Sequence, residues 1–200
     1  MSYLDKGGRF PVVADPFRSR GSTVFGAMAC ASPGRVKLGE RETFNGFAMT
    51  AIDGKGRVAI PAALRAVIEK NVERLGGDQR TVVIGLHPKD PCLVGYDSAW
   101  LKRAHARLDR LQEDGAEADY NKLRRELAMT ESAGFDQSGR FVLPEFYAMK
   151  AKLAPGQDAV FQGTGNVFEI WNPDVLLASA DVDPMLKELV EFTRLKRGAK

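Results

Sequence analysis

Two spacings of apolar residues alternate along this chain, one of period two and one of period 3.6, and the switches between them outline its elements. Residues 47–52 carry the apolar and small side chains of a short strand, and Val58, Ala59 and Ile60 make another beyond a glycine-bearing turn. After Pro61 the spacing lengthens, and Leu64, Val67 and Ile68 mark one face of a helix predicted over residues 62–70. β-rich runs return at 81–86 and 92–96, separated by a loop holding Pro88 and Pro91. From residue 98 to 129 the pattern is helical again: Trp100, Leu101, Ala104, Leu108 and Leu111 recur at helical intervals, Asp114-Gly115 interrupts, and Tyr120, Leu123 and Leu127 resume. A helical hairpin is the simplest arrangement. Strands at 158–162 and 167–171 follow, then a helix with Asn172 as its cap and Pro173 in its first turn. A last helix starts at Asp183 and Pro184, carries Leu186, Leu189, Val190 and Thr193, and ends in the basic residues Arg194, Lys196, Arg197 and Lys200.

Within this succession one unit is used twice. The run Asp53, Gly54, Lys55, Gly56, Arg57, continuing to Pro61, returns as Asp136, Gln137, Ser138, Gly139, Arg140, continuing to Pro144. Each copy predicts strand, turn, strand, helix, strand, strand, so the chain presents the same supersecondary unit in two versions. Gly56 and Gly139 accept a positive φ at little cost, and Asp53 and Asp136 take hydrogen bonds from turn amides, so these four residues are expected to shape the turns. What the turns present is Arg57 and Arg140, with Lys55 adding charge to the first copy alone. A guanidinium is always charged, and its planar donor fork fits a phosphate or the O6 and N7 edge of guanine. The same arginines can instead bridge their own aspartates and hold the turns shut, and the two roles are compatible.

Residues 47–61, the second Asp-x-x-Gly-Arg, and residues 163–172 with Phe168, Glu169, Ile170 and Trp171 resemble the MraZ family, bacterial transcriptional regulators with two SpoVT-AbrB-type domains. The likeness covers roughly residues 44–178. It implies an α+β fold: a tandem, pseudo-twofold swapped-hairpin or double-split βαβ arrangement, with a helical hairpin between the halves and a C-terminal helix. Domains are expected at 47–99 and 129–178, linking helices at 100–128 and a final helix at 183–197. The resemblance further implies a homo-oligomeric ring that binds double-stranded DNA at short promoter direct repeats, usually as a repressor of the division and cell-wall gene cluster. The family's DNA-contacting arginine falls on Arg57 and Arg140. This chain departs from the pattern in the loop around Pro88 to Pro91, in Gln137-Ser138 where the first copy has Gly54-Lys55, and in its N-terminal extension.

Composition adds little to this picture. A net charge of +3 and a pI near 8.9 suit a nucleic-acid partner and an ordinary cytoplasmic protein equally. The expected setting is the cytoplasm and its nucleoid, with no membrane partner, because no apolar run approaches the roughly 20 residues of a spanning helix. Residues 1–43, rich in Gly, Pro, Ser and Arg, show no sustained period and are expected to be disordered, or in part untranslated. The run at 18–31 imitates a secretory signal but has too short an apolar core, and a basic arm touching DNA is a weaker reading of the same segment. The charged face of the helical hairpin, with Arg103, Arg107, Arg124 and Arg125, is expected to be simply solvated.

Catalysis has weak support, and no catalytic residue, metal site or cofactor is expected. Cys30 and Cys92 lack metal-ligand spacing, His87 and His105 are isolated, and Gly54-Lys55-Gly56 is no Walker loop. Two alternatives to a regulator are an oligomeric scaffold that does not read DNA and, further off, a hydrolase in which Asp53 and Asp136 converge as paired carboxylates.

Overall fold

The computed structural model describes residues 41–198, and the expectations for residues 1–40, including the signal-like run and the basic arm, lie outside the described residues. The order of elements is β1 (Phe47–Ala51), β2 (Arg57–Ala59), α1 (Ala62–Leu75), β3 (Thr81–Leu86), β4 (Leu93–Asp97), α2 (Ser98–Glu113) and α3 (Glu117–Ala128). The second half follows with β5 (Thr130–Gly134), β6 (Arg140–Val142), α4 (Glu145–Lys150), β7 (Asp158–Gly163), β8 (Phe168–Trp171), α5 (Pro173–Ala178) and α6 (Pro184–Gly198). The molecule is therefore α+β. Most boundaries lie within two residues of the pattern-based expectation; α1 runs on to Leu75 and stops at Gly76, whose φ of +77° ends the helix.

Six strands form one antiparallel sheet in the order β1-β7-β8-β4-β3-β5, and β2 and β6 pair separately as a two-stranded ribbon. The order reads the same when the halves are exchanged. Each half's leading strand lies on the other half's sheet: β1 pairs with β7, and β5 with β3, while β4 and β8 meet at the centre. The strands thus interleave, and their hydrogen bonds close between halves.

Both faces of the large sheet are covered. Val82, Ile84, Leu93, Phe161, Phe168 and Ile170 face one core, closed by Val58 and Phe141 of the ribbon, by Leu64, Ile68 and Val72 of α1 and by Tyr147 of α4. On the other face Cys92, Val160 and Trp171 pack under Leu176 of α5 and Val190 of α6. Ala159 and Phe161 serve the first core while Val160 between them serves the second, as the pleat requires. Burial pushes the Cys92 thiol up, away from reactivity. The α2–α3 hairpin contrasts with this core, since only Ala99, Ala104 and Leu123 of its residues are buried.

Although residues 41–43 fall within the predicted extension, a polar cluster holds Arg41 and Glu42. Asn71 Nδ2 donates to the Glu42 carbonyl at 3.1 Å and to Asp97 Oδ2 at 3.0 Å, while Asn71 Oδ1 accepts from the Glu42 N–H at 2.9 Å. Arg41 pairs with the same fully buried Asp97, whose other oxygen caps α2 by accepting from the Trp100 N–H at 2.7 Å. Among the described residues no helix is long and apolar enough to cross a membrane.

Candidate nucleic-acid interface

The two repeated turns have the same hydrogen bonds. In the first, the Asp53 N–H donates to the Arg57 carbonyl and the Gly56 N–H to the Asp53 carbonyl, both at 2.9 Å. Asp53 Oδ1 accepts from the Lys55 and Arg57 N–H groups at 2.9 Å, and its Oδ2 accepts from Arg57 Nε and Nη2 at 2.7 Å. In the second, Asp136 Oδ1 accepts from the Ser138 and Arg140 N–H groups at 2.8 and 3.0 Å, and Oδ2 from Arg140 Nε and Nη2 at 2.8 Å. Gly56 and Gly139 close the turns with φ of +73° and +77°. The charged hydrogen bonds also lower the carboxyl pKa: the Arg57 backbone N–H first, then its guanidinium and the Lys55 N–H, overcome desolvation and hold Asp53 at about 2. Asp136 is lowered by the same kind of contacts, led by the Arg140 N–H.

The ribbon then arranges the turns relative to each other. Arg57 stands opposite Val142, Val58 opposite Phe141 and Ala59 opposite Arg140. Val58 and Phe141 point into the core, so Arg57, Ala59, Arg140 and Val142 share the outer face. The Leu143 N–H donates to the Gly56 carbonyl at 3.1 Å and the Ile60 N–H to the Gly139 carbonyl at 2.9 Å, tying each turn to the strand of the other half. Because the strands are antiparallel, the turns lie at opposite ends of the ribbon. Asp53 and Asp136 therefore do not converge, and each carboxylate is occupied by its own arginine, which removes the geometry that a paired-carboxylate hydrolase needs.

The two arginines share one face of the ribbon, while each guanidinium turns back to the aspartate of its own turn. They occupy diagonal positions on one face, a separation of roughly 7–8 Å in an antiparallel pair. Each aspartate takes the Nε side of its guanidinium and leaves the Nη1 edge free of hydrogen-bond partners among the described residues. Lys55 extends from the exposed tip of the first turn. A further cation, Arg65 of α1, was not singled out by the sequence pattern: its Nη1 donates to the Gln137 carbonyl at 2.9 Å and its side chain lies over Gly139. The equivalent residue after Pro144 is Ala148, so only the second turn is braced from its flank. The place of Arg65 one turn into a helix after the repeated proline was the available signal.

Comparison with known proteins gives the chain a lineage. Over 142 residues the chain is 34% identical to the transcriptional regulator MraZ of Rhodospirillum rubrum, covering 70% of this chain and 86% of that protein. The chain belongs to the MraZ family. Over 135 residues it is also 31% identical to the transcriptional regulator MraZ of Ruegeria pomeroyi, with 65% and 77% coverage, and over 132 residues 31% identical to that of Gluconobacter oxydans, with 66% and 76%. These MraZ proteins carry the name of regulators and not of enzymes. No protein-family model matches the chain. Among the described residues of this MraZ-family chain no group of three or more His, Cys, Asp or Glu side chains is placed to hold a metal ion.

Proposed function

We propose that the chain is a sequence-specific DNA-binding transcriptional regulator that docks its β2–β6 ribbon in the major groove. The observation that carries this reading is the pair of aspartate-braced arginines, Arg57 and Arg140, on one exposed face of two strands. A major groove about 12 Å wide admits a two-stranded ribbon, and three residues per strand at about 3.4 Å each run the length of about three base pairs. The aspartates hold each guanidinium still, so less side-chain freedom is lost when its remaining N–H groups meet guanine or phosphate. Lys55, at the exposed tip of the first turn, supplies a cation for the phosphate backbone.

The exchange of strands between halves supports the swapped-hairpin, double-split βαβ description, with two SpoVT-AbrB-type domains at 47–99 and 129–178 joined by the helices of 100–128. The working form is a homo-oligomeric ring whose ribbons engage successive direct repeats, so that modest single contacts add through effective concentration. An exposed apolar stripe on α6, with Met185, Leu189, Phe192 and Leu195, supports self-association. On this reading the regulator works at the nucleoid, repressing its own promoter and the division and cell-wall genes beside it.

The deciding experiment titrates DNA from immediately upstream of the chain's own gene with wild type, Arg57→Ala, Arg140→Ala and the double variant. Folding and assembly are expected to survive while the double variant loses binding. An arginine that meets only phosphate lowers the salt slope by about one when removed, and one that reads guanine relaxes preference at one position at about 1–3 kcal/mol. Unchanged binding by the double variant overturns the site. Altered assembly with DNA binding intact points to the scaffold.

A further inference from the structure

The outer face of the ribbon has a member that arginine recognition leaves unused. Val142 stands opposite Arg57 and is 56% exposed, although its strand neighbour Phe141 is buried in the core. Its counterpart in the first half is Ala59, opposite Arg140. Of the four outward positions, two therefore carry guanidinium groups, one an isopropyl group and one only a methyl. The flanking bonds from Leu143 to Gly56 and from Ile60 to Gly139 place Arg57 and Val142 as a non-hydrogen-bonded pair, where Cα atoms approach to about 4.5 Å.

This asymmetry bears on the kind of site the ribbon can read. A ribbon with a perfect twofold face binds a sequence equally well in either direction, whereas direct repeats require a reader with polarity. On the outer face of the strands the polarity lies in Val142 against Ala59. The thymine C5-methyl is the apolar group that base edges present in the major groove, and aliphatic side chains cover it. We propose that Val142 is a specificity-determining residue whose isopropyl group packs on the 5-methyl of a thymine beside the base contacted by Arg57. With about 4.5 Å between the paired Cα atoms and about 3.4 Å between base pairs, that thymine lies one or two pairs away. Ala59 has no comparable reach, so the Arg140 end reads its base alone. The inference rests on the DNA-binding reading and deepens it from charge recognition to a directional base pattern.

The experiment uses full-length protein and the DNA immediately upstream of its gene, prepared once with thymidine and once with deoxyuridine, which removes every C5-methyl and keeps base pairing. Wild type and Val142→Ala are titrated on both. Wild type is expected to bind the deoxyuridine duplex more weakly by about three- to five-fold for each repeat engaged, the value of burying about one methyl-sized group per repeat. Val142→Ala is expected to be weaker by a similar factor on thymidine DNA and nearly indifferent to the exchange. Replacing single thymines is expected to assign the effect to one thymine per repeat. Equal losses for wild type and Val142→Ala on deoxyuridine DNA overturn the role of Val142 and leave arginine recognition standing. If wild type binds neither duplex, the DNA-binding reading falls and this inference with it.

Discussion

Arg57 and Arg140 each bridge their own aspartate, and the same guanidinium keeps an edge open for the DNA contact proposed above. The lock has a pH signature. With its carboxyl held at about 2 against an ordinary 3.8, Asp53 contributes stability that is complete above roughly pH 4 and lost as the pH falls toward 2. An NMR titration of the Asp53 carboxyl is expected to place it well below the ordinary value, and a midpoint near 3.8 would mean that the lock is absent in solution. Around neutral pH the turn is unaffected, so any change in DNA affinity there has another origin. The residue types of this site were legible because turn chemistry is local: an aspartate, a left-handed glycine and an arginine follow one another within five positions. Arg65 and Val142 were not, because what makes each matter is a contact or a face shared with the other half of the chain.

The two turns look alike in isolation and differ in their surroundings. A Cβ at Gly56 would meet nothing within 4 Å, whereas one at Gly139 would lie 3.1 Å from both the Ile60 carbonyl and Arg65 Nη1. Both glycines have positive φ, so Gly56→Ala is expected to destabilise by about 1–2 kcal/mol. Gly139→Ala is expected to do so by clearly more, since a backbone atom and the Arg65 brace must also move. Urea unfolding of the two variants checks the order, and equal midpoints would mean that the brace carries no weight. Helix starts at this level were readable from caps and prolines, as at Asn172 and Pro184. The buried cluster of Arg41, Asn71 and Asp97 was not, because it joins residues 26 to 56 positions apart that carry no shared local pattern.

Interleaved strands make the two halves interdependent, for neither β1 nor β5 finds its partner in its own half. The proposed ring asks for a further surface, and α6 offers one: its inner residue Val190 is buried while Phe192 and Leu195 are 54% and 73% exposed. Phe192→Glu is expected to lower the mass of the assembly by light scattering while leaving the monomer folded, because the side chain is already in solvent. An unchanged mass would take this face out of the ring. Loss of the ring is further expected to weaken binding to DNA with several repeats more than to a single repeat, since only the former gains from effective concentration.

By itself the sequence determined the elements, the duplication and the chemistry of each turn, because hydrophobic period, caps and turn residues act over a few positions along the chain. Tertiary structure decided which strands pair, that the two arginines share a face while their aspartates diverge, and that Val142 stands among the outward residues. Those outcomes depend on the antiparallel register of β2 against β6 and on the core closing over Val58 and Phe141, which are properties of segments far apart in sequence. Local rules specify what each copy of the turn is, and long-range pairing specifies what the two copies present together.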